Sequence, residues 1–215
     1  MKLIFDLLFV ILFSPLIILL YLIGAFIVFL SDGFPIHFIS YRVGIHQKEF
    51  RLYKLRTMKV QHDSNKSLIT DKNDQRIIKW GRVLRKLKID EFPQFLNILN
   101  RSMSIIGPRP EIKDFIKFYN EDQKKTLNVL PGLACLGSLY YFLFQIEEGN
   151  SQYIEKQLPI KLNLDLYYIK MYKKYSILYD FYLIVVTFFF IIIRILNFDK
   201  KNIIASLFFK NKHSF

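Results

Sequence analysis

An apolar stretch opens the chain and predicts a segment that lies in a lipid bilayer. From Leu3 to Leu30 the only polar side chains are those of Asp6, Ser14 and Tyr21, and a spanning helix needs about 20 predominantly apolar residues. A secretory signal peptide is the main alternative. It is disfavoured because the stretch is too long, Lys2 alone forms the basic region before it, and no small-residue cleavage site follows.

Ser14 and Pro15 lie near the middle of this stretch and predict a bend. Proline removes one helical hydrogen bond and clashes with the preceding turn, while a serine hydroxyl can satisfy the freed carbonyl. Each arm would have about 14 residues and span about 21 Å, less than the roughly 30 Å of the hydrocarbon core. A re-entrant hairpin would return to the side that it entered from. Local sequence alone favours the commoner alternative, a kinked helix that crosses the bilayer.

Shorter elements follow the apolar stretch. Between Pro35 and Met58, β-branched, aromatic and basic residues are mixed around Gly44, which predicts a β-hairpin whose second arm carries Lys54 and Arg56. Residues 61–75 contain few large apolar side chains and several turn formers. We therefore expect an exposed loop there.

Apolar residues then recur at the three- and four-residue spacing of amphipathic helices. Three such sets follow one another: Trp80, Val83, Leu84 and Leu87; Phe92, Phe95, Leu96 and Leu99; and Ile112, Phe115, Ile116 and Tyr119. A later apolar run from Tyr182 to Ile193 is short for a membrane span, so we expect an interfacial or bundle-packed helix. The tail from Asp199 to Phe215 mixes lysines with large apolar side chains, which suits contact with lipid headgroups.

Composition implies that apolar and basic segments are separated along the chain. The 215 residues are 52% hydrophobic, yet the formal net charge is +13. This charge would attract anionic lipid, nucleic acid or phosphorylated substrates, and the positive-inside rule places the basic part in the cytoplasm. Cys135 is the only cysteine, which excludes an intramolecular disulfide. The histidines lack ligand spacing and the glycines form no dinucleotide or Walker loop, which disfavours zinc, NAD and P-loop chemistry.

Two adjacent carboxylates, Asp90 and Glu91, are the main candidates for chemistry. They lie between a run of cations and the start of a predicted helix whose first turn accommodates Pro93. Backbone N–H groups and the helix dipole at such a position favour an ionised carboxylate and can cradle a phosphate. An N-cap role for Asp90 is the simpler alternative, and the local pattern alone favours it.

Arg109 is the candidate for phosphate contact. It lies between two prolines in the segment 102–110, SMSIIGPRP. The prolines hold the backbone extended and present the guanidinium from a defined position, which suits a bidentate phosphate contact. A surface salt bridge is the competing explanation, and nothing local excludes it.

These motifs together resemble those of the bacterial sugar transferase family, the monotopic phosphoglycosyl transferases. The matching segments, in order, are FDLLFVILFSP, YRVG, FRLYKLRTM, DQRIIKWGRVLRKLKIDEFPQFLNIL, SMSIIGPRP, LPGL and KLNLDLYYIK. The resemblance implies a mainly α structure with a small β-hairpin (α+β), a re-entrant helix-break-helix at Ser14 and Pro15, and interfacial amphipathic helices. We expect a membrane segment at 1–31, a cytoplasmic catalytic domain at 32–180 and a membrane-associated segment at 181–215.

The resemblance also implies a reaction. Asp90 would be the nucleophile of an acidic dyad with Glu91, taking a sugar phosphate from a UDP-sugar, releasing UMP and passing the sugar phosphate to a polyprenyl phosphate such as undecaprenyl phosphate. Mg²⁺ is the implied cofactor, with Asp90 and Glu91 as its candidate ligands. The implied phosphate-binding residues are Arg109, Lys54, Arg56 and Arg85. The expected place is the bacterial inner membrane, with the catalytic domain facing the cytoplasm, at the start of capsule, exopolysaccharide, O-antigen or glycoprotein glycan synthesis.

The chain departs from the family pattern at two places. Many members have GDMS where this chain has RSMS from Arg101, so Ser102 replaces an aspartate. Many have a TGW and glutamine sequence after the PG pair at 131–132, where this chain has LACLGSLYY, as in a subgroup with paired glutamates, here Glu147 and Glu148. These departures put the sugar donor in doubt more than the reaction type.

Two other functions would account for part of the sequence. A non-catalytic, basic, membrane-anchored scaffold for lipid or nucleic acid would explain the charge, but not the clustered acids or the order of the motifs. A multi-spanning transferase is disfavoured because the chain has a single long apolar segment. Nucleic acid is not an expected partner, and the sequence leaves open whether the protein forms a homodimer.

Overall fold

The computed structural model of the protein describes residues 1–60, 75–144, 154, 157–195, 206 and 208–209. Within them the chain is mainly helical with a small antiparallel hairpin, as predicted. The α-helices are α1 (Lys2–Asp32), α2 (Gly81–Lys86), α3 (Phe95–Leu99), α4 (Lys113–Ile116), α5 (Leu136–Phe144), α6 (Leu158–Tyr175) and α7 (Ile177–Ile195). The strands are β1 (His37–Val43), β2 (Glu49–Leu55), β3 (Ser104–Ile106) and β4 (Gly132–Ala134), and the 3-10 helices are Ile45–Gln47, Ile89–Gln94 and Gln123–Asn128.

Three predicted segments fall wholly or mostly outside the described residues. They are the exposed loop at 61–75, the paired glutamates at 147–148 and the basic tail from residue 199.

The predicted β-hairpin is confirmed. β1 and β2 pair antiparallel, from His37 opposite Leu55 to Val43 opposite Glu49. At the tip, the backbone N–H of Val43 donates to the carbonyl of Glu111 at 2.8 Å. The hairpin is therefore joined to the segment that carries the GPRP motif.

α1 runs without interruption through Pro15 instead of dividing into two helices. Pro15 has no N–H to offer the carbonyl of Ile11, four residues earlier. The hydroxyl of Ser14 donates to that same oxygen at 2.8 Å. The serine thus replaces the hydrogen bond that the proline removes, which explains why the helix continues.

The middle of α1 makes no buried contact, whereas both arms pack on the globular part. Residues 11–20 are exposed or half-buried throughout. In the first arm Val10 is buried, and the carboxylate of Asp6 accepts a hydrogen bond from the backbone N–H of Ile105 at 3.3 Å. In the second arm Val28 is buried. α1 is the one helix of the described chain that is long and apolar enough to cross a membrane.

Gly24 allows the second arm of α1 to approach the hairpin and the acidic segment closely. A Cβ at this position would lie 2.6 Å from Cδ1 of Leu55 and 2.7 Å from Cγ2 of Ile89. Any larger side chain would therefore separate α1 from both elements.

Ion pairs fasten the two ends of α1 to the globular part. At the first end, the ammonium of Lys2 pairs with the buried carboxylate of Asp180 on α7 and contacts the Tyr168 hydroxyl at 3.2 Å. At the other end, the guanidinium of Arg56 pairs with the carboxylate of Asp32 at 2.5 Å. Arg56 also donates to the carbonyls of Asp32, Gly33 and Pro35.

β3 and β4 form a short parallel pair that sets the position of the GPRP motif. A Cβ on Gly132 would lie 2.0 Å from the backbone nitrogen of Gly107, and backbone atoms cannot move aside as a flexible side chain can. Glycine is therefore required for this approach. Gly107 is held at the end of β3, immediately before Pro108 and Arg109.

α7 has apolar side chains on two faces. Leu183 and Phe190 are buried in the main core. Its other face is apolar and exposed, at Leu178, Phe181, Tyr182, Val185, Phe188, Phe189 and Ile192. A helix that packs on a domain with one face and leaves the other apolar suits a membrane interface.

Two of the amphipathic helices are shorter than the apolar periodicity predicts. α2 ends at Lys86, and Lys88 adopts a left-handed conformation with φ of 60°. α4 is a single turn that ends at Ile116, and beyond it Asn120 and Gln123 exchange side chain to backbone hydrogen bonds of 3.0 and 2.8 Å. These bonds start a new 3-10 helix where the periodicity alone would continue the old one.

We expect Arg56→Gln to destabilise the protein without weakening donor binding, because the guanidinium of Arg56 is committed to the end of α1. The loss should be roughly 2–4 kcal/mol, since a largely buried, multiply bonded charge is replaced. Thermal unfolding in detergent measures it. Arg51→Gln, on an exposed residue of β2, is the matched control and should stay within about 0.5 kcal/mol of wild type. A large rise in donor KM with unchanged stability would instead assign Arg56 to phosphate binding.

Candidate active site

Asp90 and Glu91 lie in the 3-10 helix Ile89–Gln94, between α2 and α3, and both are buried. The segment packs against β2 and α1. The N-cap interpretation of Asp90 is wrong: the residue before this helix is Lys88, and Asp90 lies inside the first turn. Burial of two adjacent carboxylates is unfavourable unless charges or hydrogen bonds compensate it.

Three cations from different parts of the chain surround the carboxylate of Glu91. Its Oε1 lies 3.3 Å from Nζ of Lys54 on β2, 3.4 Å from Nζ of Lys88 and 3.6 Å from a terminal guanidinium nitrogen of Arg109. Burial opposes ionisation of Glu91, but Lys88, Lys54 and Arg109 together hold its pKa well below the usual range. Glu91 is therefore an ionised anchor for positive charge.

Asp90 has a different environment. Its Oδ1 is buried and has no hydrogen-bond partner among the described residues. Burial and the neighbouring charge of Glu91 raise the pKa of Asp90, against the opposing effects of Lys54 and Lys88. The pKa values of the two carboxylates are thus shifted in opposite directions, a pattern typical of groups with separate chemical roles.

Lys54 lies beside the acidic pair. Its side chain is about four-fifths buried, 19% exposed, on the face of β2 that covers the 3-10 helix. Burial lowers the pKa of Lys54, while the charge of Glu91 opposes that shift. A desolvated ammonium at this place adds strongly to the local positive potential.

Arg109 is also brought to the acidic pair. The surface salt-bridge interpretation does not describe its pairing with Glu91, because the two side chains are only 20% and 10% exposed. The guanidinium comes from the loop after β3, which the contact between Gly107 and Gly132 fixes.

Arg85 and Arg56 have different positions. Nε of Arg85 donates to the hydroxyl of Thr57 at 2.7 Å, and its charge acts on Asp90. Arg85 is therefore near the acidic pair. Arg56 is instead bonded to the C-terminal end of α1, as described above, and its pairing partner is Asp32 rather than Asp90 or Glu91.

Lys88 is a site residue that the sequence pattern did not single out. Helical periodicity places it on a solvent face of a continuing helix, together with other cations of the RKLK run. The left-handed backbone at Lys88 ends the helix and turns its ammonium toward Glu91, within 5.6 Å of the ring centroid of Phe142. The sequence feature that could have identified Lys88 as a site residue is its position two residues before Asp90.

The acidic pair can supply the one or two carboxylate ligands that a Mg²⁺ site requires. Oδ1 of Asp90 is a hard oxygen donor without another partner in the described chain. Mg²⁺ typically takes one or two protein carboxylates and fills its other positions with water and substrate phosphates. The described residues contain no group of three or more His, Cys, Asp or Glu suited to an all-protein site.

Comparison with known proteins identifies the family of the chain. The sequence profile of the bacterial sugar transferase family matches residues 1–194. The uncharacterized sugar transferase EpsL of Bacillus subtilis (strain 168) is 39% identical over 143 residues, 66% of this chain and 64% of that protein. The UDP-N-acetylgalactosamine-undecaprenyl-phosphate N-acetylgalactosaminephosphotransferase of Aeromonas hydrophila is 34% identical over 162 residues, 74% of this chain and 36% of that protein.

A third relative, like the second, is matched over about a third of its own length. The UDP-glucose:undecaprenyl-phosphate glucose-1-phosphate transferase of Xanthomonas campestris pv. campestris is 32% identical over 167 residues, 74% of this chain and 32% of that protein. The matches thus span from about a third to two thirds of these relatives' lengths. Because the family profile covers nearly the whole chain, this protein belongs to the bacterial sugar transferase family.

Proposed function

We propose that this protein is a phosphoglycosyl transferase that moves a sugar 1-phosphate from a UDP-sugar to a polyprenyl phosphate. Undecaprenyl phosphate is the expected acceptor, because relatives are named as transferases to it. The observation that carries the proposal is the buried Oδ1 of Asp90, which lacks a partner in the described chain, beside a glutamate that holds three cations. A lipid-binding scaffold would not require such a buried pair.

In the first step, a carboxylate oxygen of Asp90 attacks the phosphorus next to the sugar. A bond forms between that oxygen and phosphorus, and the bond from phosphorus to the oxygen that bridges the diphosphate breaks. UMP leaves with the bridging oxygen and its electron pair. Asp90 is suited to this role because its carboxylate is desolvated and weakly bonded, and therefore more basic than its neighbour.

In the second step, a phosphate oxygen of the polyprenyl phosphate attacks the same phosphorus. The bond between Asp90 and phosphorus breaks, which restores the carboxylate and yields a polyprenyl diphosphate sugar. Lys54, Lys88 and Arg109 can stabilise the negative charge of the transferring group in both steps, since Glu91 already holds them together. Arg85 adds positive charge next to Asp90.

Mg²⁺, held by Asp90 with Glu91 as the second candidate ligand, would neutralise diphosphate charge when bound. Glu91 shares its Oε1 among three cations, so Asp90 is the less occupied of the two carboxylates.

We place the site at the cytoplasmic surface of the inner membrane, where a soluble donor and a lipid-bound acceptor can meet. α1 would enter the bilayer and return to the same side, bent near Ser14 and Pro15. What supports this topology is that both ends of α1 are ion-paired to one globular part, through Asp180 and Arg56, whereas residues 11–20 contain no buried side chain. The exposed apolar face of α7 would lie in the same interface.

The reaction would begin the assembly of a surface glycan, such as a capsule, an exopolysaccharide, O-antigen or a glycoprotein glycan. A polyprenyl diphosphate sugar is a primer to which other enzymes add sugars.

We expect Asp90→Asn to lower magnesium-dependent UMP release by about 10³-fold or more, because the amide cannot act as the nucleophile. Glu91→Gln should lose about 10- to 10³-fold, since the cations are less firmly held. Release of UMP from a panel of UDP-sugars, with undecaprenyl phosphate in detergent, measures both.

Asp122→Asn is the control for these variants, because Asp122 is exposed and paired with Lys125 on the surface. It should turn over like wild type, and all three variants should stay in the membrane fraction. Near-normal turnover by purified Asp90→Asn would end the proposed mechanism.

The same-side topology predicts that a cysteine inserted between Met1 and Lys2 is protected from a membrane-impermeant maleimide in spheroplasts. It should react once the membrane is permeabilised, as should Phe34→Cys at the exposed start of the soluble part. Cys135 gives little background because burial raises the pKa of its thiol. Labelling of the N-terminal cysteine in intact spheroplasts, with Phe34→Cys still protected, would show that α1 crosses.

A further inference from the structure

Behind the GPRP motif lies a network of charged side chains that the proposed reaction does not use. Lys161 and Asp165 are one turn apart on α6, with exposures of 0% and 1%. Lys161 forms an ion pair with Glu111, which is 3% exposed. The network is thus enclosed in protein. Charged residues are almost never fully buried without a partner, so this burial calls for an explanation.

Both flanks of Arg109 contact this network. Glu111 follows Arg109 by two residues and is paired with Lys161. Asp165 lines the same small cavity as Arg109, and the backbone N–H groups of Arg109 and Gly137 act on its carboxylate. Neither oxygen of Asp165 makes a hydrogen bond of standard geometry within the described chain, so these N–H groups act as longer electrostatic contacts.

The close packing of α5 on α6 reinforces this arrangement. A Cβ on Gly137 would lie 2.5 Å from Cγ of Lys161 and 3.3 Å from Oδ1 of Asp165. Glycine therefore lets the start of α5 cover the ion network directly. The charges cannot easily be reached by water, so their positions depend on one another.

A buried ion pair is weak evidence for stability, because desolvation offsets much of the attraction. The loss of one partner is nevertheless strongly destabilising, since it leaves an uncompensated charge in the interior. Such a network is better explained by the backbone segment that it holds in position. Here that segment is the backbone from Gly107 to Glu111, whose central side chain reaches Glu91 at 3.6 Å.

We propose that Asp165 and Lys161 are positioning residues for Arg109: α6 holds the backbone on both sides of this arginine and so aims its guanidinium at the acidic pair. The inference rests on the proposed function for the role of Arg109 toward the diphosphate. The positioning itself is a property of the fold, and it can be measured without turnover.

A double-mutant cycle separates positioning from a general structural role. Asp165→Asn should raise the donor KM and lower kcat/KM by about 10- to 100-fold, because a misplaced phosphate contact weakens transition-state stabilisation. In an Arg109→Ala background, the same change should alter kcat/KM less than about 3-fold, since no guanidinium remains to be placed. If turnover is too low, dissociation constants for UDP can replace kcat/KM in the cycle. They are measured in wild type, in each single variant and in the double variant.

Asp180→Asn is the matched control, because Asp180 is another buried carboxylate with a lysine partner, on α7. Any decrease in kcat/KM that Asp180→Asn causes should be of equal size in the wild-type and the Arg109→Ala backgrounds. If Asp165→Asn also acts equally in both backgrounds, the positioning role is overturned.

Hydrogen–deuterium exchange provides a second test that does not depend on the reaction. Pro108 and Pro110 have no N–H, so exchange in the segment 107–111 reports only Gly107, Arg109 and Glu111. Asp165→Asn should speed exchange here by about 10-fold or more in the folded protein. Unchanged exchange together with wild-type kcat/KM would refute the inference while leaving the proposed reaction intact.

The opposite result separates the two proposals. Faster exchange in Asp165→Asn, in a protein that releases no UMP from any UDP-sugar even as wild type, would support the positioning and overturn the function. If Asp165→Asn does not fold, the triple variant Glu111→Gln, Lys161→Met and Asp165→Asn removes all three charges of the network together, and such a replacement often preserves stability. This triple variant should show the same faster exchange and the same dependence on Arg109, and wild-type behaviour of the folded triple variant would count against the inference.

Discussion

The attraction between one buried glutamate and three cations organises the site. Glu91 holds Lys54 from the hairpin, Lys88 from the end of α2 and Arg109 from the loop after β3. These cations repel one another, and the charge of Glu91 offsets that repulsion. With Glu91 present they form a preorganised positive field beside Asp90. Asp90 is left desolvated and weakly bonded, a state suited to a nucleophile but unfavourable for folding, as is common at functional sites.

The membrane helix and the acidic pair depend on each other. Gly24 lets α1 lie against Leu55 and Ile89, and Ile89 directly precedes Asp90. α1 therefore supports the element that carries the carboxylates, as well as supplying apolar surface for the bilayer. Since both ends of α1 are ion-paired to the globular part, the fold fixes α1 relative to the acidic pair. In the proposed topology the fold would therefore also set the distance of the site from the lipid.

The elements that sequence predicts correctly are those governed by local chemistry. The hairpin around Gly44 and the apolar α1 follow from periodicity and length, and Ser14 bonds the carbonyl that Pro15 frees. The placement of Lys88 and Arg56 depends on other features. A left-handed backbone turns Lys88 into the site, and partners 21 to 24 residues away in the chain hold Arg56 at the end of α1. Periodicity contains neither kind of information. Lys161 and Asp165 are neighbours on α6, but their burial and their contacts with Glu111 and Arg109 likewise depend on tertiary packing.

The central claim is that the Asp90 carboxylate becomes bonded to phosphorus. It is tested most directly by incubating the protein with Mg²⁺ and a UDP-sugar labelled with ³²P in the phosphate next to the sugar, without acceptor, and then mapping its peptides by mass spectrometry. We predict that the label is found on the peptide containing Asp90, as an added sugar phosphate, and is lost when polyprenyl phosphate is supplied. An unlabelled Asp90 peptide, in a preparation that still converts the acceptor to product, would contradict the covalent mechanism.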